Sequence, residues 1–380
     1  MKHSLALIIA SLLFAAPAAA QAPVRIGLSA PLSGPDAAYG QGLRQGAEQA
    51  VADLNRAGGG RPKFALVQAD DAGDARQAVA AAKKFTADGV RYVIGPFESG
   101  AVAAAAPIYE EAGVVMVAPG ATYAPLTGRG FGILFRLAPS DAQQGRAAGS
   151  YLAKAFAGRR IAILNDRSTY GRGLAEAVAA RLKEAGTPEV LFDGFPRGTR
   201  DLSDLVGRLK AARVDAVYFG GLAPEAATLV RALREAAIGT PLVASDGILD
   251  PAFAASAGSA GEGTVMTLPP DPPRLPEPKG GKAPARSAEA ESVAASGYAA
   301  VEVLAQALER ARAADPKTGR IPDGRKVAEA LHGTQPVRTI LGPVGFDERG
   351  DRTAGAVTLR VWRRTPDGRL DYAGNDVSGP

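Results

Sequence analysis

Polar residues able to hold an anionic group follow two apolar runs in the first third of the chain. Ser99 comes soon after the run that ends at Gly95, and Ala121 and Thr122 come soon after the next run. Because Ser99 begins an alanine-rich stretch that predicts a helix, its hydroxyl and the neighbouring backbone N–H groups favour a bound carboxylate. Ala121 and Thr122 can add a carbonyl oxygen, an N–H group and a hydroxyl. These residues together predict an anion-binding site.

The second half of the chain offers a group of the opposite charge. Asp246 directly follows another apolar run, and its carboxylate could pair with a cation. Tyr39 and Tyr170 each precede a Gly-x-Gly-Leu sequence near a predicted helix start, from which their rings could close over a ligand. Singly, such residues usually cap helices, end strands or pack at surfaces. Their joint placement at equivalent strand ends favours a site for a zwitterion, which carries both charges.

The composition excludes several kinds of enzyme chemistry. The 380 residues include no cysteine and two histidines, which rules out disulfides, thiol catalysis, iron–sulfur clusters and Cys/His zinc sites. One histidine is His3, and the other, His332, ends a predicted helix, where contact with the helix dipole is its expected role. We therefore expect no enzyme activity, no cofactor and no metal ion.

Three short sequences are similar to catalytic or nucleotide-binding motifs, but each lacks a required residue. The sequence GRGLAE at 171–176 has a glutamate in place of the third glycine of a dinucleotide-binding loop. Lys282 is followed by alanine, where a phosphate-binding P-loop has serine or threonine. Ser99 lacks the glycine two residues before it that a nucleophile elbow requires.

The first twenty residues have the features of a secretion signal. Lys2 and His3 precede an apolar run at 5–16, and the alanines at 18–20 provide a small-residue cleavage site. The run is too short for a stable transmembrane helix, and no later stretch reaches the roughly 20 apolar residues that a membrane span requires. We expect cleavage after Ala20 and release into a periplasm. Without cysteine, we expect no lipid anchor.

The charge balance gives no indication of nucleic-acid binding. The formal net charge is +5, and cleavage of the signal removes the one positive charge of Lys2. The arginines are scattered along the chain rather than clustered with aromatic residues, which is typical of a solvated surface. We therefore expect no nucleic-acid partner.

Short β-rich runs alternate with alanine- and leucine-rich stretches, which predicts an α/β fold with parallel sheets covered by helices on both faces. The segment 269–290, rich in proline, glycine, lysine and glutamate, is predicted to be an exposed and mobile linker. Strands are predicted at 24–30, 63–70, 91–95, 114–118, 160–165, 215–220, 241–245, 264–268 and 356–362. Helices are predicted at 42–55, 75–87, 173–185, 202–211 with Asp201 as N-cap, 288–313 and 325–331.

An internal repeat indicates two similar lobes. The strand sequence VRIGL at 24–28 leads to YGQGL at 39–43, and RIAIL at 160–164 leads to YGRGL at 170–174. A predicted helix follows in both halves. Because ligands bind beyond the carboxyl ends of strands in open α/β sheets, two facing lobes would form a cleft lined by these loops.

Several motifs together resemble the leucine/isoleucine/valine-binding protein family, whose members are periplasmic substrate-binding components of ABC importers. The resemblance implies a type I periplasmic binding fold, in which two Rossmann-like lobes with parallel sheets are joined by a three-strand hinge and close on the ligand. The lobes would comprise residues 21–140 with 270–340, and 141–269 with 341–380. The motifs are IGLSAPLSGP at 26–35, YVIG at 92–95, APGAT at 118–122, RIAILND at 160–166 and VYFGG at 217–221.

The resemblance also implies roles for the residues at the strand ends. Ser99, Ala121 and Thr122 would hold the α-carboxylate and ammonium groups of an amino acid. Asp246 stands where the family often has a carboxylate for the ammonium group. Tyr39 and Tyr170 stand where aromatic residues flank the pocket.

The chain departs from the family pattern at two places near this site. Gly73 and Glu98 stand at the positions of the family's disulfide, so this bridge is missing, and we expect the Glu98 side chain to point away from the anion site. Leu222 and Ala223 stand where an aromatic residue often lines the pocket. They predict a pocket wall that is wider or more apolar.

The resemblance implies a monomeric binding protein that captures an amino acid, with an aliphatic or branched side chain favoured, and presents it to the membrane permease of an ABC importer. No reaction is expected. Two alternatives stay open. The ligand could be another small molecule, such as an amide, an aromatic acid or a small peptide, or the protein could be the ligand-sensing subunit of a signalling receptor.

Overall fold

Two separate β-sheets, whose strands alternate with helices along the chain, form the frame of the molecule. In the computed structural model, the described residues are 22–58, 61–270, 273–277, 287–316, 320–333, 335–353 and 357–377. The strands are β1 (Val24–Ala30), β2 (Phe64–Asp70), β3 (Tyr92–Ile94), β4 (Val115–Ala118), β5 (Leu134–Arg136), β6 (Ile161–Asn165), β7 (Leu191–Gly194), β8 (Ala216–Gly220), β9 (Leu242–Ala244), β10 (Val265–Leu268), β11 (Val337–Thr339), β12 (Gly342–Val344), β13 (Thr358–Val361), β14 (Arg363–Arg364) and β15 (Leu370–Asp371).

Helices connect successive strands of each sheet. Short 3₁₀ turns also occur, one of which begins at Asp246. The helices are α1 (Ala37–Ala57), α2 (Ala75–Ala87), α3 (Ser99–Ala112), α4 (Asp141–Ala155), α5 (Thr169–Glu184), α6 (Ser203–Ala211), α7 (Ala223–Glu235), α8 (Pro251–Ala257), α9 (Ala288–Ala314) and α10 (Gly324–Leu331).

Both large sheets are built mainly from parallel strands. The first has the order β2-β1-β3-β4-β5, and the second has the order β13-β10-β9-β8-β6-β7. All neighbouring strands are parallel except β13, which runs antiparallel to β10. Strands such as β3, β4, β6 and β8 are buried along their whole length, as expected where helices cover both faces of a parallel sheet. The predicted α/β class is thus confirmed.

Each sheet has its own hydrophobic core. The first core includes residues of the long helix α9, which packs along α1 so closely that a Cβ atom at Gly46 would overlap the Ala294 carbonyl. A second and a third cluster lie on the two faces of the second sheet. Two lobes therefore surround two sheets, in agreement with the internal repeat.

The chain passes between the lobes three times within its described part. The crossings follow β5, β10 and β12. Val344 and Phe346 still pack in the first core, whereas Trp362 packs in the second. The lobe boundaries stay a prediction, and this packing favours a last crossing after Phe346 rather than at residue 340.

Most predicted elements are present, with ends that differ by a few residues. β1 and α2 have the predicted limits, but α1 and α5 begin about one turn earlier than predicted. Tyr39 and Tyr170 consequently lie in the first turn of a helix rather than before it. At Gly40, a Cβ atom would overlap the Pro31 carbonyl, so this glycine permits a close contact rather than a turn.

Some predictions were wrong in detail. Leu202, rather than Asp201, occupies the N-cap position of α6, although the Asp201 carboxylate accepts a hydrogen bond from the Ser203 N–H at 2.9 Å. The short strands β5 and β7 were not predicted. β5 ends in a buried arginine and β7 is only partly buried, so neither has the pattern of a typical strand.

The predicted linker at 269–290 is only partly exposed. Leu275 is 6% exposed within the first core, and its N–H donates to the Glu291 carboxylate at 2.8 Å. The last residues of the segment belong to α9. Half of the segment predicted to be mobile, 271–272 and 278–286, lies outside the described residues. In the described part of the chain, no helix is long and apolar enough to cross a membrane.

Candidate functional site

A cavity of about 390 Å³ lies between the carboxyl ends of the two sheets. Its walls come from the loops that follow strands of both lobes, where the sequence predicted a ligand site. The predicted site residues that line it are Tyr39, Ser99, Thr122, Tyr170, Asp246 and Leu222.

Two predicted residues do not line the cavity. Ala121 and Ala223 are each at most 1% exposed and belong to the hydrophobic cores. Leu222 alone therefore forms the predicted apolar wall. Their immediate neighbours Thr122 and Leu222 line the cavity instead.

One end of the cavity is suited to a carboxylate. Ser99 is the first residue of α3, and its Oγ accepts hydrogen bonds from the N–H groups of Thr122 and Tyr123, both at 3.2 Å. The Ser99 hydroxyl proton thus remains available for a ligand. The Oγ1 atom of Thr122 is buried beside the Asp141 carboxyl group, whose pKa burial raises and this hydroxyl lowers. These hydroxyls and the positive end of the α3 dipole favour an anionic group.

A buried arginine, which the sequence analysis missed, holds the loop at this end. Arg136 ends β5 and is 1% exposed. Its Nη1 donates to the carbonyl oxygens of Thr122 and Tyr123, at 2.9 and 2.7 Å, and its Nε donates to Asp351 at 2.8 Å. The arginine therefore fixes the peptide groups beside Ser99. A charged residue within the apolar sequence ILFRL was the available signal.

The second lobe contributes a carboxylate to the cavity wall. The Tyr170 hydroxyl donates to Asp246 Oδ1 at 2.7 Å and accepts from the Gly247 N–H at 3.0 Å. Burial raises the pKa of Asp246, against the lowering effect of its hydrogen bond from Tyr170. A cationic group would compensate for the lost solvation of this carboxylate.

A second carboxylate, from the first lobe, also lines the cavity. Glu289 lies in the first turn of α9 and accepts a hydrogen bond from the Tyr39 hydroxyl. Burial, together with the charges of Asp250 and Asp246, raises the pKa of Glu289 to about 7. The sequence analysis missed Glu289 because it had assigned this stretch to the exposed linker.

A third acidic group, Glu98, lies beside Gly73. A Cβ atom at Gly73 would be 3.2 Å from the carboxyl carbon of Glu98. Both carboxyl oxygens of Glu98 are buried and have no hydrogen-bond partner in the described part of the chain. Burial is the main cause that raises the pKa of Glu98 to about 8, and the charges of Asp71 and Asp36 add to it. The predicted orientation away from the anion site stays a prediction.

An ion pair crosses the cleft between the lobes. Arg197, which follows β7, donates through Nη2 and Nη1 to the two carboxylate oxygens of Asp36, at 2.7 and 3.0 Å. Asp36 directly precedes α1 in the other lobe. This bidentate pair raises the pKa of Arg197. Neither residue was predicted, because no local sequence pattern indicates a contact between residues that are so far apart.

Aromatic rings form one wall of the cavity. Tyr39 and Phe97 stack with ring centroids 5.2 Å apart.

Within the described ranges, no cluster of histidine, aspartate and glutamate side chains is arranged to hold a metal ion. The site as a whole thus offers an anion-binding end, several carboxylates and an aromatic wall.

Comparisons with known proteins match this architecture. The family model for periplasmic binding proteins matches residues 23–368. Leu/Ile/Val-binding protein homolog 1 of Brucella suis is 38% identical over 356 residues, which are 93% of this chain and 94% of that protein. Leu/Ile/Val-binding protein BraC3 of Rhizobium johnstonii is 39% identical over 366 residues, 95% of this chain and 97% of that protein. The crystal structure of the leucine binding protein LivK from Thermotoga maritima has a TM-score of 0.76 and 25% identity, covering 92% of this chain and 97% of that one.

Proposed function

The chain belongs to the leucine/isoleucine/valine-binding protein family of periplasmic binding proteins, and we propose that it binds an α-amino acid in the cavity between its lobes. Family membership confirms the predicted resemblance, the two-lobed fold and the expectation of a binding protein rather than an enzyme. The observation that carries the proposal is the arrangement of opposite charges. Ser99 and Thr122 of the first lobe suit a carboxylate, and Asp246 with Tyr170 of the second lobe suits an ammonium group.

A zwitterion that contacts both ends would favour closure of the lobes. Ser99 and Thr122, which suit the ligand's carboxylate, come from the first lobe, whereas Asp246 comes from the second, so a ligand that touches both lobes binds the closed arrangement better. An aromatic acid without an amino group would leave the buried Asp246 without a cationic partner. Because the relatives are named for leucine, isoleucine and valine, these are the first ligands to test.

We further propose that the protein is exported, acts as a monomer and delivers its ligand to the membrane permease of an ABC importer. Export rests on the predicted signal at 1–20, which lies outside the described residues. A pull-down with membranes tests the partner, since recovery of a permease supports import. Recovery of a kinase or chemoreceptor instead would support the sensing alternative.

Calorimetry on refolded protein, freed of any carried ligand, tests the binding proposal. We expect one or more of the twenty amino acids to bind, and Asp246→Asn to weaken that binding by about tenfold or more. Asp193→Asn is the matched control, because Asp193 pairs with Arg208 on the surface of the second lobe. Absence of amino-acid binding to folded protein would reject the proposal. In that case 4-hydroxybenzoate, acetamide and dipeptides would probe the alternative ligands.

A further inference from the structure

The cavity carries more carboxylates than the single ammonium group of an aliphatic amino acid can pair. Its lining includes four acidic residues, Asp36, Glu98, Asp246 and Glu289, and two arginines, Arg197 and Arg352. Asp36 and Arg197 neutralise each other in their bidentate pair. In the formal count, the positive charge of Arg352 balances one of the other three negative charges. The lining therefore keeps an excess of two negative charges when all of these groups are ionised.

Glu289 is the carboxylate least explained by a zwitterionic ligand. In the described part of the chain it forms no ion pair, and its hydrogen bond comes from the neutral Tyr39 hydroxyl. The charges of Asp250 and, less strongly, of Asp246 oppose its ionisation, and both residues belong to the second lobe. Closure therefore brings like charges toward Glu289 across the cleft. A positive charge between the lobes would remove this repulsion.

The surroundings of Glu289 suit a cation for a second reason. Tyr39, which donates to Glu289, also stacks on Phe97 in the cavity wall. The faces of aromatic rings attract ammonium and guanidinium groups. The Glu289 carboxylate and the rings of Tyr39 and Phe97 thus form one continuous patch.

We propose that the ligand is an amino acid with a cationic side chain, whose second positive charge lies against Glu289, Tyr39 and Phe97. The inference rests on the proposed function, because it takes the α-carboxylate to lie at Ser99 and the α-ammonium group at Asp246. Glu289 is then the residue that selects the side chain. An aliphatic side chain of the same length would leave Glu289 without a cationic partner.

Matched ligand pairs test the preference on the wild-type protein. Lysine and norleucine differ at the end of the side chain by the ammonium group, and arginine and citrulline differ by the charge of the guanidinium. Calorimetry at pH 8 should show lysine or arginine binding about tenfold or more tightly than its neutral counterpart. Equal or tighter binding of norleucine and leucine would overturn the inference.

The variant Glu289→Gln tests whether this residue is responsible. The ratio of lysine to norleucine affinity, or of arginine to citrulline affinity, should fall at least fivefold, with binding of the neutral ligands retained. The control Glu309→Gln lies on the same helix in a surface ion pair with Arg61 and should leave the ratio unchanged. An unchanged ratio in Glu289→Gln would overturn the assignment of Glu289.

These outcomes are separable from failure of the proposed function. If the folded protein binds leucine or norleucine at least as tightly as lysine and arginine, with an affinity that Asp246→Asn reduces, the proposed function stands and the cationic preference is wrong. If the folded protein binds no amino acid of either kind, both are wrong. Norleucine binding by Glu289→Gln also shows that the variant is folded.

Discussion

The ion pair between Asp36 and Arg197 should stabilise the closed arrangement of the lobes and so strengthen ligand binding. The pair joins the loop after β1 to the loop after β7, across the mouth of the cleft. Opening of the lobes would separate it. We therefore expect the variants Arg197→Gln and Asp36→Asn to bind ligand more weakly, although neither change removes a group assigned here to the ligand.

The size of the effect follows from the geometry and exposure of the pair. Two hydrogen bonds of 2.7 and 3.0 Å join side chains that are 34% exposed for Arg197 and 10% exposed for Asp36. Fully exposed ion pairs contribute about 0.2–1 kcal/mol, whereas hydrogen bonds to charged groups contribute about 1.5–3 kcal/mol. A contribution of about 1–2 kcal/mol from this partly buried pair corresponds to about a fivefold to thirtyfold loss of affinity if the unliganded protein is mainly open.

Stopped-flow binding and calorimetry would measure this loss. We expect most of it in a faster dissociation rate, because the pair forms only after the ligand has entered an open cleft. The double variant Arg197→Gln/Asp36→Asn should lose no more than either single variant. Arg208→Gln is the control, since Arg208 pairs with Asp193 at 2.6 Å within one lobe, and its ligand affinity should match that of the wild type. Additive losses in the double variant, or unchanged dissociation rates, would refute the reasoning.

Three further predictions concern single residues. Glu98→Gln should stabilise the ligand-free protein increasingly as the pH rises from about 5 to 8. In this range the wild-type folded protein retains a proton on Glu98, whose pKa is raised to about 8, whereas the unfolded chain releases it, which costs the wild type up to about 1.4 kcal/mol per pH unit. A melting-temperature difference from wild type that does not change with pH would contradict this. Thr122→Val should weaken ligand binding about tenfold in calorimetry, since it removes a buried hydroxyl from the cavity wall; an unchanged affinity would contradict this. Gly46→Val should destabilise the first lobe by about 2 kcal/mol or more in urea unfolding, because its side chain would overlap the Ala294 carbonyl of α9.

The sequence predicted those site residues whose position depends on the local order of strands and loops. Ser99, Thr122 and Asp246 each lie within five residues after a buried strand, at the carboxyl edge of one of the two sheets, so recognising the strands was enough to locate them. The same reasoning could not tell which of two adjacent residues faces the cavity. Ala121 and Ala223, next to the lining residues Thr122 and Leu222, are buried in the cores instead.

Residues whose position depends on the other lobe were not predictable in this way. Asp36 and Arg197 are 161 residues apart in the sequence. Glu289 lies in the first turn of α9, the helix that follows the proline-rich segment. Their sequence surroundings are those of ordinary surface residues. Only the packing of α9 against α1 and the approach of the two lobes make them part of the cavity.

This division between local and interlobe residues bears on how binding and closure are coupled. The groups predicted from strand ends line the cavity in each lobe separately, whereas the missed residues Asp36, Arg197 and Glu289 place charges between the lobes. The pair of Asp36 and Arg197 favours closure, and the repulsion between Glu289 and Asp246 opposes it. A ligand cation would cancel the repulsion and leave the attraction in place. The charge of the ligand would then determine both how tightly it binds and how fully the lobes close.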